Sequence, residues 1–347
     1  AMKIFCGVQG TGNGHIPRAR VMAKELYCAG ADVTFLFTGK NTAHYFDMEI
    51  FQQYLAKSGL TFSLCKGQVQ YIKTAVQAKP VQFFKDVAAL DLKGYDLIIS
   101  DFEPVTAWAA KRCHKPVLGI GHQYAFNHDI PKTGSDPIAN TVMKYFAPVD
   151  VGIGLHWHHF NQPILPPIIE TPASITGIDK KKIIVYLPFE EHRDVIKFLK
   201  PFVDFDFYVY GAATETSRLR HVHCRPLSRE GFKQDFYDCA GIITSAGFEL
   251  ASEALQAGKK ILAKPLHSQM EQLSNAFALQ KLGYGQTMYE LDAQIVAAWL
   301  YDHNAVQVTY PNVAKIMVQW IVAGMPAMTT DFIDSIWRGV KVSQIQQ

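Results

Sequence analysis

Short apolar runs bounded by glycines and polar turns recur through the first part of the chain. Lys3–Gln9, with Ile4, Phe5, Cys6 and Val8 in succession, has the near-continuous apolar character of a strand buried on both faces. Asp32–Thr38 repeats it, and Thr61–Cys65, Leu97–Ser100 and Val117–Gly121 are further strand candidates. Between them the apolar positions change to helical spacing, from about Pro17 to Ala29 and again over Val105–Arg112. Pro17 near the first helical position and Gly30 just past the end fit the usual asymmetry of helix termini. Strands separated by helix-length segments predict a parallel sheet covered on both faces.

The middle changes character. Asn161–Thr171 and Pro172 hold four prolines in twelve residues, which continue neither a helix nor a central strand and read as an interdomain linker. Alternation then restarts. Strands are expected at Lys182–Leu187, Asp206–Tyr210, Val222–Arg225, Gly241–Thr244 and Ile261–Pro265. Helices are expected at Glu191–Phe202, Arg229–Asp238, Phe248–Ala257 and Glu271–Leu282. The pattern predicts an α/β protein of two Rossmann-like domains facing across a cleft. The first covers residues 1–160, the linker 161–180 and the second domain 181–327. Ligands of such sheets bind beyond the carboxyl ends of the strands, so the residues just after each strand carry the chemistry.

Composition narrows the class. A hydrophobic fraction of 48% supports two packed cores and excludes wholesale disorder. With 34 Lys+Arg against 31 Asp+Glu the net charge is only +3, and no basic stripe argues for nucleic acid. No apolar run approaches the ~18 residues of a membrane span. The six cysteines are scattered and form no Cys-x-x-Cys pair, several within apolar runs where a thiol acts as a small hydrophobe. The chain after Met2 enters a strand without a signal-peptide pattern, so the expected location is the cytoplasm. The mild basicity leaves room for peripheral contact with a membrane bearing a lipid-linked acceptor.

After the first strand comes Gly10-Thr11-Gly12-Asn13-Gly14-His15. Glycines between a strand and a helix let the backbone approach a ligand, and the helix N-terminus favours an anion. A dinucleotide fingerprint fits poorly: Gly14 falls one residue early, and the second strand ends in Thr38-Gly39-Lys40 without an acidic ribose holder. His15 sits where the cleft opens, and a neutral imidazole there suits a general base. In the second half Thr244-Ser245-Ala246-Gly247 opens a helix carrying Glu249 and Glu253 on one face. Its free amides make a diphosphate site, and either carboxylate is a candidate to accept from a ribose diol. Pro265–Ala276 follows with Glu271 and Gln272, able to read sugar hydroxyls. Arg18, one turn after His15, is a candidate phosphate ligand or a solvated helix position. Asp204-Phe205-Asp206 has a metal-site spacing but reads better as a strand-entry turn. The run of His156, His158 and His159 lacks a Cys or acidic partner for zinc and reads as a cleft-lining or surface feature.

Taken in order, these motifs resemble the GT-B glycosyltransferases that use nucleotide sugars. The branch is that of the peptidoglycan N-acetylglucosaminyltransferase and the UDP-glucuronosyltransferases. Gly10–His15, including Gly12 and Gly14, is similar to the family's glycine-rich loop and following histidine. Ser245-Ala246-Gly247 with Phe248 through Glu253 resembles the donor helix, and Glu271-Gln272 with Asn275 its sugar-reading segment. Ser100–Pro104 and Gly121-His122-Gln123 look like acceptor-side loops. Ser245 stands where the glucuronosyltransferases have histidine, and Glu271 where many have aspartate, which leaves the donor sugar open.

The resemblance implies transfer of a sugar from a nucleoside diphosphate, with uridine preferred, to an acceptor hydroxyl on a glycan, lipid or small molecule. Inversion is implied, with no metal or other cofactor. His15 would take the acceptor proton and Asp101 orient it, with Glu103, His122 and Gln123 on the acceptor side. Glu103 remains an alternative base. Ser245–Phe248 would hold the diphosphate, Glu253 the ribose, and the segment around Arg225 the base. A C-terminal helix over Thr330–Val340, within 328–347, would return to the first domain. The alternatives are a sugar-nucleotide epimerase or hydrolase on the same fold, which would turn over donor without an acceptor, and a non-catalytic sugar-nucleotide binder.

Overall fold

The computed structural model describes residues 1–11, 14–60, 64–65, 68–69, 79–134, 137–171, 177–211, 216–267 and 269–347. Gly12 and most of the expected strand Thr61–Cys65 lie outside them. The first domain is a parallel sheet of β1 (Lys3–Gln9), β2 (Asp32–Thr38), β3 (Leu55–Lys57), β6 (Leu97–Asp101), β7 (Val117–Gly121) and β8 (Val151–Gly154), in the order β3-β2-β1-β6-β7-β8. A short antiparallel pair, β4 (Leu64–Cys65) and β5 (Gln68–Val69), stands apart. Helices α1 (His15–Cys28), α2 (Pro80–Ala89), α3 (Pro104–Arg112) and α4 (Pro137–Tyr145) accompany it. β1 and β6 lie at the centre with their apolar side chains buried, as the continuous hydrophobic runs require. Glycine at position 7 is a packing requirement: a Cβ there would stand 2.0 Å from Thr106 Oγ1 on α3.

The second domain repeats the scheme. Strands β9 (Asp179–Tyr186), β10 (Asp206–Gly211), β11 (Ser217–Leu219), β12 (Val222–Pro226), β13 (Cys239–Thr244), β14 (Lys260–Ala263) and β15 (Gln286–Thr287) run in the order β11-β12-β10-β9-β13-β14-β15. All pairings are parallel except that of β11 with β12. Its helices are α5 (His192–Leu199), α6 (Arg229–Asp238), α7 (Phe248–Gln256), α8 (Met270–Leu282) and α9 (Ala293–Tyr301). Two adjacent lysines at the entry to β14, Lys259 and Lys260, close two helix ends. Lys259 Nζ donates to the carbonyls of Tyr237 and Cys239 at 2.9 and 2.7 Å, and Lys260 Nζ to those of Trp299 and Asp302 at 2.9 and 2.6 Å.

The linker is part of the core. Ile164, Leu165 and Ile168 are fully buried, Leu165 bridges Leu155 in parallel, and the largest apolar cluster, which spans both domains, includes Leu165 and Ile168. The C-terminal segment departs from expectation. The helix that packs on α1 is α10 (Val313–Val322), with Asn312 Nδ2 donating to Glu25 Oε1 at 3.3 Å. α11 (Thr330–Trp337) reaches the linker, where Trp337 Nε1 donates to the Ile164 carbonyl at 2.8 Å. After Gly339 the chain becomes a strand, β17 (Lys341–Gln346), antiparallel to β16 (Asn304–Thr309). The last residue donates through Nε2 to Gly258 in the second domain at 2.7 Å. The expected return segment 328–347 is therefore divided, because the open edge of β16 offers residues 341–346 a full ladder of hydrogen bonds. Among the described residues no helix is long and apolar enough to cross a membrane.

Candidate active site

At the carboxyl end of the first sheet, β6 delivers Asp101 and the start of α1 delivers His15. Phe102 follows Asp101 with φ at +51°, a left-handed conformation that turns the chain sharply after the strand. Gly121, at the end of the adjacent β7, leaves the space: a Cβ there would lie 2.8 Å from Asp101 Oδ1. His15 Nδ1 stands 2.8 Å from Asp101 Oδ1. Burial alone would raise the Asp101 carboxyl, but Arg18 and then His15 reverse this and hold it at about 2. An ionised carboxylate only accepts, so His15 Nδ1 carries the hydrogen, and in the neutral ring the lone pair falls on Nε2.

Arg18 is neither solvated nor aimed at solvent phosphate. It is 3% exposed. Its Nε donates to Asp101 Oδ2 at 2.8 Å, Nη2 to Asp101 Oδ1 at 2.9 Å, and Nη1 to Glu249 Oε2 at 2.9 Å. One guanidinium thus spans the two domains, from the strand end of the first to the first turn of α7 in the second. Burial drives the Glu249 carboxyl well above the usual range, opposed by Arg18, and its Oε1 is buried without a partner among the described residues.

A second set of contacts closes the cleft. His122 lies on Phe248 with ring centroids 3.9 Å apart and planes 3° from parallel. Its Nδ1 is 2.7 Å from the Leu155 carbonyl and its Nε2 is 2.7 Å from Asn275 Oδ1. Asn275 Nδ2 in turn donates to the Ala246 carbonyl at 2.9 Å. Gln123 Nε2 faces both oxygens of Glu271 at 3.2 Å. The acceptor-side loop expected from sequence therefore rests directly on the expected donor segment.

Other expected site residues divide. His15, Asp101, His122, Gln123, Phe248 and Glu271 are brought to the interdomain seam. Gly14 is the N-cap of α1, and a Cβ on it would meet Glu249 Cβ at 3.6 Å. Glu253 lies one turn further along α7; burial and the charge of Glu170 push its carboxyl up to about 7, opposed by Lys233, Arg229 and Arg20. The buried Ser245 gives its N–H to the Tyr186 carbonyl at 3.3 Å, and Gly247 gives its own to Ser245 at 2.8 Å. Those two amides are occupied within the protein.

Glu103 is a helix cap, fully buried, accepting from the Val105 and Thr106 amides at 2.7 Å and from Thr38 Oγ1 at 3.0 Å. That geometry removes it as the alternative base. Gln272 staples its own loop, its Oε1 accepting from Leu266 N–H at 2.9 Å. The Arg225 side chain turns toward Asp235 at 3.7 Å and over Tyr208. Asp206 pairs with His223 at 3.1 Å while Asp204 accepts from Tyr301 at 2.9 Å, so the two carboxylates do not converge. Of the histidine run, His156 is buried against His122 and Phe248, and His158 and His159 accept the Phe160 and Asn161 amides at 2.9 Å. The sequence names Arg18 and Glu249 as separate candidates but does not show that they pair with each other and with Asp101. The signal within reach was the three-residue spacing that puts His15 and Arg18 on one helix face.

Comparisons with known proteins accord with this architecture. The structure superposes on a glycosyltransferase SsfS6 from Streptomyces sp. SF2575, complexed with thymidine diphosphate, with a TM-score of 0.60 at 11% identity over 93% of this chain and 100% of the other. Acinetobacter baumannii MurG gives 0.52 at 15% identity, covering 93% and 100%. The glycosyltransferase VinC in complex with dTDP gives 0.53 at 14% identity, covering 97% and 99%. These likenesses carry the GT-B fold. No curated protein sequence matches. The profile of glycosyl transferase family 1 matches residues 2–303, and the chain belongs to that family.

Proposed function

We propose that the protein transfers a sugar from a pyrimidine nucleoside diphosphate to an acceptor hydroxyl, with inversion and without a metal. The observation that carries this reading is the 2.8 Å contact between His15 and an ionised Asp101, set against the first turn of the donor helix. His15 Nε2 takes the acceptor proton as the acceptor oxygen bonds to the anomeric carbon. The bond from that carbon to the phosphate oxygen breaks, and the nucleoside diphosphate leaves with the electron pair. Asp101 steadies the imidazolium that forms. The departing charge falls to the N-terminus of α7, which carries no side-chain cap, and Glu253 takes the ribose. Uridine is favoured by the sequence resemblance; thymidine is favoured by neighbours that hold thymidine diphosphate. Peripheral membrane contact is supported by a surface groove of about 530 Å³ lined by Phe83, Phe84, Val87 and Trp108 and flanked by Lys111 and Arg112.

The test is a thermal-shift series with UDP, GDP, dTDP and NAD, with and without EDTA, followed by diphosphate release from the matching sugar donors. A ligand at about 100 times its Kd adds about 2.7 kcal/mol of stability, a shift of a few degrees in a chain this size. One pyrimidine diphosphate stabilising the protein regardless of EDTA, with release dependent on an acceptor and lost in His15→Ala, is the expected result. Stabilisation by NAD alone, or donor turnover indifferent to acceptor, overturns it.

A further inference from the structure

We propose that Arg18 is a positioning residue that aligns the His15–Asp101 pair only when the donor helix is docked against the first domain. The proposal rests on the assignment of His15 as base. Three nitrogens of one buried side chain are each committed. Nε and Nη2 grip both oxygens of Asp101 at 2.8 and 2.9 Å, and Nη1 grips Glu249 Oε2 at 2.9 Å. The planar fork fixes the carboxylate plane, so Oδ1 is presented to His15 Nδ1 at one angle.

Among the described residues Glu249 makes no hydrogen bond to His15 or Asp101; the charge of Asp101 reaches it only across space. Its hold on the base passes through Arg18, whose neighbours at α1, β6 and α7 are His15, Asp101 and Glu249, with the charge of Glu271 beyond. Residues 18 and 249 lie 231 positions apart on opposite sides of the cleft, so the contact exists only in the docked arrangement. Undocking would remove the third anchor, leave the guanidinium free to rotate off Asp101, and slacken the base until a donor brings the domains together.

The discriminating experiment follows the protonation midpoint of the His15 ring by nuclear magnetic resonance in the full-length protein, the signal being assigned through His15→Ala. Arg18→Gln leaves the Asp101 charge facing the ring alone and raises the midpoint by about one unit. Glu249→Ala separates the two accounts. As an anchor of Arg18 its loss loosens the compensating cation and raises the midpoint; acting only through its own charge its loss lowers the midpoint, or leaves it unmoved where the carboxyl holds its proton. The expected result is a rise that disappears when Arg18→Gln is combined with it. A fall, no change, or additivity of the two substitutions overturns the proposal.

Arg18→Lys keeps a buried cation should the glutamine variant fail to fold. Lysine cannot span both carboxylates, so in that background Glu249→Ala is expected to leave the ring unmoved, and a persisting rise overturns the proposal equally. The titration needs no substrate. A wild-type protein that releases no diphosphate from any donor therefore sinks the transferase reading while the clamp still stands or falls on the titration.

Discussion

His122 lies flat against Phe248 across the domain seam, 3.9 Å between centroids, with a protein oxygen 2.7 Å from each ring nitrogen. The ring comes from the turn after β7 and its partners from α7, α8 and the end of β8, so a single side chain joins both domains. His122→Ala removes the stack and strands the Asn275 oxygen in a buried site. The expected cost is about 2–4 kcal/mol of unfolding free energy. His122→Phe restores the stack without the hydrogen bonds and should recover only part of it. Urea denaturation of the three proteins checks the order; a variant as stable as wild type refutes the seam contact.

The depressed Asp101 carboxyl makes acid stability informative. A carboxyl with a folded value near 2 and an unfolded value near 3.8 contributes stability that is complete above about pH 3.8 and lost as pH falls through 2. The contribution is about 2 kcal/mol. Arg18→Gln leaves that buried charge with His15 as its one remaining partner among the described residues, costing about 3–5 kcal/mol at neutral pH. The gap between variant and wild type should narrow as pH falls toward 2, because protonated Asp101 no longer needs the guanidinium. Denaturant melts at a series of pH values measure the gap; a gap independent of pH contradicts the pairing.

Much of the fold was legible because it is local. β1, β2, β7 and α6 fall on the residues that hydrophobic pattern and terminus chemistry pick out. What escaped depends on distant partners. Lys341–Gln346 is mostly exposed and becomes a strand only because residues 304–309 lie alongside it. Position 18 shares a face with His15, which the spacing shows, but Glu249 enters only through the fold. Glu103 shows the local level from the other side: a glutamate directly before Pro104 is placed to cap a helix, and it does so here.

Under the proposed donor site, Glu253 would link nucleotide binding to pH. Ribose hydroxyls donate best to a carboxylate, and burial together with Glu170 holds this group partly protonated up to about pH 7. A raised carboxyl must give up its proton to bind, so affinity for UDP or dTDP should increase as pH rises through 7 and level off above it. Glu253→Gln should weaken binding about tenfold, a loss of ~1.4 kcal/mol, and flatten the pH dependence. Calorimetric titration across this range decides it; an unchanged slope in the variant assigns the ribose to another residue.

The groove between α2 and α3 gives the membrane reading a direct test. Phe84 and Val81 on α2 are each 67% exposed, and Lys111 and Arg112 on α3 line the same groove as Phe84. Apolar side chains entering the headgroup boundary and cations meeting anionic lipid would act together, each basic residue adding about 1 kcal/mol. The protein should sediment with phosphatidylglycerol vesicles more than with phosphatidylcholine vesicles, and less as salt is raised. Lys111→Ala with Arg112→Ala should lower the partition coefficient about tenfold or more, and Phe84→Ser should lower it on both lipids. Neither substitution reaches the His15–Asp101 pair, so release of nucleoside diphosphate in the presence of a water-soluble acceptor should persist. Equal partition on both lipids, unaffected by these changes, would remove the membrane from the function and leave the acceptor among soluble glycans or small molecules.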